Sequence, residues 1–216
     1  MTTHIVIGDD HPLVQAALRS ALAAVLPDLD ILECQTLDEV LASVSLRPEA
    51  IDLVLLDLNM PGTLGFAGLF LMLAQHPTVP VAILSAKQDA PTIRRAIAYG
   101  ASGYIPKSLS LPAMAEAITR ILAGEIWMPA HLTGRGAVAD PDVELGGRFA
   151  SLSAQQLRIL TMIVEGKLNK QIAADLHIAE QTVKVHVSTI LRKLGVVTRT
   201  QAAVLAQRLS AGEDRS

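Results

Sequence analysis

Asp9, Asp10, Asp57, Ser85 and Lys107 each stand where an apolar run stops. Asp9 and Asp10 follow His4-Ile5-Val6-Ile7-Gly8. Asp57 lies in Val54-Leu55-Leu56-Asp57-Leu58-Asn59-Met60-Pro61-Gly62, where Pro61-Gly62 ends the run abruptly. Ser85 follows Val79 to Leu84, and Lys107 follows Gly103-Tyr104-Ile105-Pro106. A lone strand-end Asp is more often the start of a turn, but turn chemistry alone does not explain four runs ending in this way. If the runs are parallel strands, these residues converge at the carboxyl edge of a sheet, where open α/β sheets place ligands. Three carboxylates in one crevice cannot all stay ionised without a cation. Oxygen ligands with open positions for water suit Mg²⁺ or Mn²⁺. Asp9, Asp10, Asp57 and the Asn59 backbone carbonyl are the expected metal ligands. Such an ion brings and neutralises a phosphoryl donor. Asp57 is then the nucleophile that forms an acyl phosphate. Lys107 pairs with the incoming phosphoryl oxygens, and the Ser85 hydroxyl donates to another.

The elements that must position these groups follow from periodicity. Strands are expected at His4–Ile7, Leu29–Cys34, Asp52–Asp57, Val79–Leu84 and Gly103–Ile105. Helices are expected at Pro12–Leu26, Asp38–Ser43, Gly68–Gln75, Ala90–Tyr99 and from a Ser110 cap to Leu122. The first carries the apolar stripe Leu13, Ala17, Leu18, Ala21, Leu22 and Val25. Five strands alternating with five helices imply an α/β fold, a parallel five-stranded sheet with helices on both faces. Residues 123–148 are rich in Gly and Pro and predict a linker, with a short helical piece near Ile126-Trp127-Met128. Helical periodicity returns from Phe149. Helices are expected after Leu152-Ser153, over Asn169–Leu176, Glu180–Leu194 and Thr200–Leu209, with a frayed tail at 211–216.

Bulk properties narrow the classes. The chain has 216 residues, half of them hydrophobic and 18% charged, enough to fold around two cores. No apolar run reaches membrane-span length, and the start shows no secretion signal. The single cysteine, Cys34, lies in an apolar segment and is expected to fill core in a reducing cytoplasm. Residues 1–122 hold seven Lys/Arg against twelve Asp/Glu, a balance of −5. Residues 149–210 hold eight against three, a balance of +5. An acidic front and a basic back predict two domains, the rear one suited to a polyanion.

The pair Asp9-Asp10, Asp57 in D-L-N-M-P-G, Ser85, and Lys107 in G-Y-I-P-K stand at successive spacings of 47, 28 and 22 residues. In this order and spacing, residues 1–122 resemble the receiver domain of a two-component response regulator. That resemblance implies a flavodoxin-like (βα)5 domain with strand order 2-1-3-4-5. It implies phosphotransfer from a sensor histidine kinase to Asp57. It also implies a switch, in which Ser85 moves toward the phosphoryl group and Tyr104 rotates inward. His11-Pro12 fits the same family's start.

In the rear segment Lys184, His186 and Arg192 or Lys193 face away from the stripe Val183, Val187, Ile190 and Leu191. Such a helix fits a DNA major groove, and its charges neutralise phosphates. A solvated helix face in a bundle would show the same charges. The wider pattern, from L-S-A-Q-Q-L-R-I-L through E-Q-T-V-K-V-H-V-S-T-I-L-R-K-L-G-V-V-T-R-T-Q-A-A, resembles a LuxR-type helix-turn-helix of the NarL/FixJ group. The resemblance covers roughly residues 149–210 and implies an all-α four-helix domain. By that resemblance Lys184, Val185 and Ser188 point at base edges. Asn169, Lys170, Thr182, His186 and Lys193 serve the backbone or positioning, and the last helix is the homodimer contact on DNA.

Three positions depart from the group's pattern: Gln155-Gln156 replaces its usual Arg-Glu, Ser188 stands where relatives carry Lys, and Thr198 replaces a common Asn. The whole is expected to be a phosphorylation-controlled, cytoplasmic transcription factor binding double-stranded DNA, not an enzyme. Its unphosphorylated receiver is expected to cover or restrain the basic domain. The alternatives are a haloacid-dehalogenase-like phosphatase, whose Asp motif belongs on a first strand, or a receiver with a protein-binding helical domain.

Overall fold

The computed structural model describes residues 2–61, 63, 65–132 and 141–210. Gly62, residues 133–140 of the expected linker and the tail 211–216 therefore lie outside the described residues. Five strands form one sheet: β1 Thr3–Gly8, β2 Leu29–Cys34, β3 Leu53–Asp57, β4 Val81–Ser85 and β5 Gly103–Pro106. Their order is β2-β1-β3-β4-β5 and every pairing is parallel. β3 and β4 are buried at every position, as a sheet covered on both faces requires. Side chains alternate between two cores. Ile5, Ile7, Leu53 and Leu55 meet Leu18, Leu22, Ile118 and Ile121 on one face. Val6, Val54, Leu56 and Ile83 point to the other.

The front helices are α1 Pro12–Ala23, α2 Leu37–Leu46, α3 Ala67–Gln75, α4 Ala90–Ala98 and α5 Leu111–Leu122. Thr36 and Asp89 cap α2 and α4 through their side chains. Ser110 holds the cap position of α5 without a side-chain cap bond. Leu13 and Val25, expected in the inward stripe of α1, are 86% and 53% exposed, and Gln15 takes an inward position instead.

Two expectations for residues 123–148 are corrected. Ile126-Trp127-Met128 is not helical: Trp127 pairs with Gly103 as an isolated parallel bridge beside β5. Its carbonyl accepts from Tyr104 N (2.9 Å), and its own N–H donates to Ser102 O (3.2 Å). Helix α6, Pro141–Ala150, then occupies part of what the sequence presented as linker. Gly146 reads as a breaker in sequence, but here it permits close packing. A methyl placed on it would lie 1.8 Å from Tyr99 Cε1.

The rear helices are α7 Ala154–Val164, α8 Asn169–Asp175, α9 Glu180–Leu194 and α10 Arg199–Ser210. Leu157, Leu160, Ile163, Ile172, Val183, Ile190 and Leu194 form their core. Gly195 ends α9 with φ 71°, in the left-handed region. The two domains are in contact. α3 packs on α6 and α7, and α4 on α6. The aromatic residues concentrate there: all three Phe and one of the two Tyr of the chain. Tyr99 meets Phe66 edge-on at 5.1 Å and Phe70 at 5.2 Å. Phe70 stacks on Phe149 at 6.2 Å.

Candidate functional site

The carboxyl ends of β1, β3 and β5 bring Asp9, Asp57 and Lys107 together. Asp9 is fully buried and Asp57 nearly so. Lys107 Nζ lies 2.8 Å from Asp9 Oδ2 and 2.7 Å from Asp57 Oδ2, joining residues on separate strands. Burial opposes charge on the Lys107 ammonium, but hydrogen bonding to Asp57 and Asp9 and their charges outweigh it, so its pKa is raised. Lys107 is therefore a fixed cation within the acid pocket. Its own N–H donates to Ser85 O (2.7 Å), which sets the β5 end beside the β4 end.

Asp10, half-buried, and His11 complete the rim. Ligand atoms of Asp9, Asp10, His11 and Asp57 all lie within 4.8 Å of one another. Asp9 Oδ2 and Asp10 Oδ1 are buried without an aligned hydrogen-bond donor, although Lys107 and His11 stand close to them. A cluster of hard carboxylate oxygens gathered in one pocket fits a divalent cation of the Mg²⁺ or Mn²⁺ type. Asn59 is exposed, and its N–H donates to Asp57 Oδ1 (3.2 Å), which fixes the turn after β3 against the pocket.

Gln15 was not singled out in sequence. Its amide donates to Asp9 O (2.8 Å) and Cys34 O (2.9 Å), pinning the ends of β1 and β2. A polar residue three positions before Leu18, on the apolar face of α1, was the only available sign. Cys34 is buried as expected, and burial pushes its thiol pKa up.

Ser85 is fully buried and its hydroxyl accepts from Lys87 N (3.3 Å). Tyr104, expected to rotate inward only on activation, is already fully buried here. Its hydroxyl donates to Lys87 O (2.9 Å). Burial pushes its pKa up to about 12; the Ser85 hydroxyl opposes this in part, and the charges of Asp89 and Asp57 add to it. Tyr104 and Ser85 thus both hold the β4–α4 loop, on either side of one residue.

In the rear domain Lys184, Val185 and Ser188 lie exposed on one face of α9. Thr182 and Lys170 are also exposed, and His186 is half-exposed. The receiver does not cover this face, where the sequence led one to expect that it might. Lys184 pairs with Glu180 one turn back (3.0 Å). The Ser188 hydroxyl donates back to Lys184 O (3.0 Å), where a longer lysine would extend outward.

Of the two roles expected for Lys193, phosphate contact or positioning, its contacts suit the second: its ammonium donates to Ser151 O (2.6 Å) and Gln156 Oε1 (3.0 Å). Gln156 is the reason. It forms a capping box with Ser153 at the start of α7 and accepts Lys193 with the same oxygen. The neutral amide thereby keeps the cap that the usual Glu would form. Asn169 is likewise engaged, its Oδ1 accepting from Arg199 Nη1 (3.0 Å), while Arg199 also donates to Lys167 O. Thr198 caps α10 by accepting from Gln201 N (3.1 Å), so its replacement of Asn is structurally accommodated.

Comparison with known proteins agrees with both halves. Residues 5–119 match the response regulator receiver domain, and residues 150–206 match the LuxR family of bacterial regulatory proteins. The chain belongs to the response regulators that join a receiver to a LuxR-type DNA-binding domain, and its function is regulation of transcription. Among its relatives is the glycerol metabolism activator of Pseudomonas putida, 41% identical over 208 residues covering 94% of each chain. Another is the nitrate/nitrite response regulator NarL of Escherichia coli, 30% identical over 93% of each. The RcsB response regulator of Salmonella typhimurium shares the fold, with TM-score 0.55 at 18% identity over 94% of this chain and 98% of that one. Among the described residues, no helix is long and apolar enough to cross a membrane.

Proposed function

We propose that Asp57 accepts a phosphoryl group from a sensor histidine kinase and that this controls binding of the rear domain to double-stranded DNA. The observation that carries the proposal is Lys107 clamped between Asp9 and Asp57 at the carboxyl edge of the sheet. A carboxylate held beside a fixed cation is an oriented nucleophile whose product anion has a partner waiting. Asp9, Asp10, Asp57 and the Asn59 carbonyl would hold Mg²⁺ or Mn²⁺, which supplies charge neutralisation to the transferring phosphoryl group. Lys107 then releases one carboxylate and turns to the phosphoryl oxygens. The Ser85 hydroxyl moves to donate to another, leaving its bond with Lys87 N.

That last movement gives the signal a route. Ser85 and Tyr104 both hold Lys87, at the start of the segment leading into α4. α4 ends at Tyr99, on which α6 rests through Gly146. Shifting this loop disturbs the contact that fixes the rear domain on the receiver. Released, the domain presents Lys184, Val185 and Ser188 to base edges. Lys170, Thr182, His186 and Asn169 serve the backbone. Lys193 acts by positioning α7 against α9. The exposed Val197, just before α10, and Val204, midway along it, suit a homodimer contact on paired half-sites. The chain acts in the cytoplasm, where kinase and DNA meet.

Asp57→Ala is expected to abolish incorporation of labelled phosphate from a kinase or a small phosphodonor. Label retained in that variant would refute the assignment.

A further inference from the structure

We propose that Arg199 is the positioning residue for a DNA-backbone contact made by Asn169: it holds Asn169 Oδ1 and so turns the amide nitrogen, Nδ2, outward to donate to a phosphate oxygen. This rests on the reading of the rear domain as the DNA-binding unit and of Asn169 as a residue that serves the backbone. Asn169 Oδ1 accepts from Arg199 Nη1 at 3.0 Å, across 30 residues of chain. A guanidinium only donates, so Asn169 must face it with its oxygen. The two hydrogens on Nδ2 therefore point to the other side. Asn169 is half-buried, and Nδ2 has no hydrogen-bond partner among the described residues, yet it is not an enclosed atom. It is a free donor that reaches solvent.

Arg199 is itself held in place. Its Nη2 donates to Lys167 O, two residues before α8. Its backbone opens α10, whose first turn is set by Thr198 Oγ1 accepting from Gln201 N (3.1 Å). Gln201 Oε1 accepts in turn from Val197 N (3.0 Å) and Thr198 N (3.2 Å). α10 packs on α7 and α9. One guanidinium thus ties the start of α10 to the start of α8, and both bonded nitrogens are committed within the domain.

The orientation matters because a phosphate oxygen can only accept. An amide that offered its oxygen outward would be repelled, and one free to turn would lose ordering entropy on binding. The first helix of a helix-turn-helix crosses the DNA backbone, which is where α8 stands in this domain. Lys170, the next residue, is exposed and supplies a cation for the same strand of phosphates.

The test uses the full chain and a random-sequence duplex, since a backbone contact carries no sequence preference. Asn169→Ala and Arg199→Gln should each weaken binding by about tenfold, and the double variant by no more than either alone. The slope of log affinity against log salt should stay unchanged in Arg199→Gln, because the charge removed meets no phosphate. Losses that multiply in the double variant, binding unaltered in Arg199→Gln, or a slope reduced by about 0.9 overturn the positioning role and leave the DNA-binding reading standing. A second measurement does not depend on the Arg199 variant folding. In the ¹⁵N-labelled unaltered chain, the Asn169 side-chain amide signals, identified by their loss in Asn169→Ala, should shift when the duplex is added. Signals that stay in place overturn the contact. Failure of the unaltered chain to bind the duplex at low salt, phosphorylated or not, overturns the DNA-binding reading and the proposal together.

Discussion

Lys107 shows how one residue sets the character of the pocket. Two buried carboxylates repel, and desolvation penalises each of them. One ammonium between Asp9 and Asp57 offsets both effects and fixes the orientation of the Asp57 carboxylate. Tyr104 shows the opposite preference, for neutrality. Its folded pKa of about 12 lies above the ordinary value near 10, so the folded state retains a proton that the unfolded chain loses between them. Stability from this group is fully present below pH 10 and declines as pH rises through 12. The decline amounts to on the order of 2 kcal/mol, and Tyr104→Phe should remove it, flattening the alkaline arm of a chemical-denaturation stability profile. An alkaline arm unchanged by the substitution would contradict this placement of the phenol. The pocket aspartates, Ser85 and Lys107 were legible in sequence because strand ends announce themselves as the stop of an apolar run. Gln15 and the bound state of Lys193 were not, because each depends on what a separate element presents to it.

At the scale of elements, periodicity located every strand and all but one of the ten α-helices among the described residues. The missed element was α6, which lies mostly in the Gly- and Pro-rich stretch read as linker. Glycine costs a helix about 1 kcal/mol, but Gly146 lets the α6 backbone approach the Tyr99 ring as no other residue would. Trp127 was misplaced for a similar reason. Its carbonyl satisfies Tyr104 N at the open edge of β5, a partner that local sequence cannot disclose. The close contact yields a prediction. Gly146→Val should force α6 away from α4 at a cost of about 1–3 kcal/mol to the interdomain contact. Hydrogen exchange should then rise in α3 and α4 while β1 and β3 keep their protection. Unchanged exchange in α3 and α4 would show that the contact contributes nothing to holding the domains together.

For the whole molecule, the opposite charges of the two halves suggested that the receiver might mask the basic surface. The domains instead meet through buried aromatics, and the α9 face with Lys184, Val185 and Ser188 stays open. The proposed control would then act through how the rear domain is held, by limiting pairing of two copies on DNA, and not by masking Lys184, Val185 and Ser188. Lys184→Ala should therefore weaken DNA binding by roughly 1–3 kcal/mol in either phosphorylation state and relax preference at one base position. Its effect is measured by comparing specific and random duplexes at matched salt. Equal loss on both would make Lys184 a phosphate contact instead of a base reader.

The most direct measurement is affinity for a two-half-site duplex before and after treatment with a small phosphodonor and Mg²⁺, in the unaltered chain and in Asp57→Ala. Affinity should rise at least about tenfold on treatment, equivalent to some 1.4 kcal/mol, only in the unaltered chain. Equal affinity before and after treatment, or an equal rise in Asp57→Ala, would contradict control of DNA binding through Asp57.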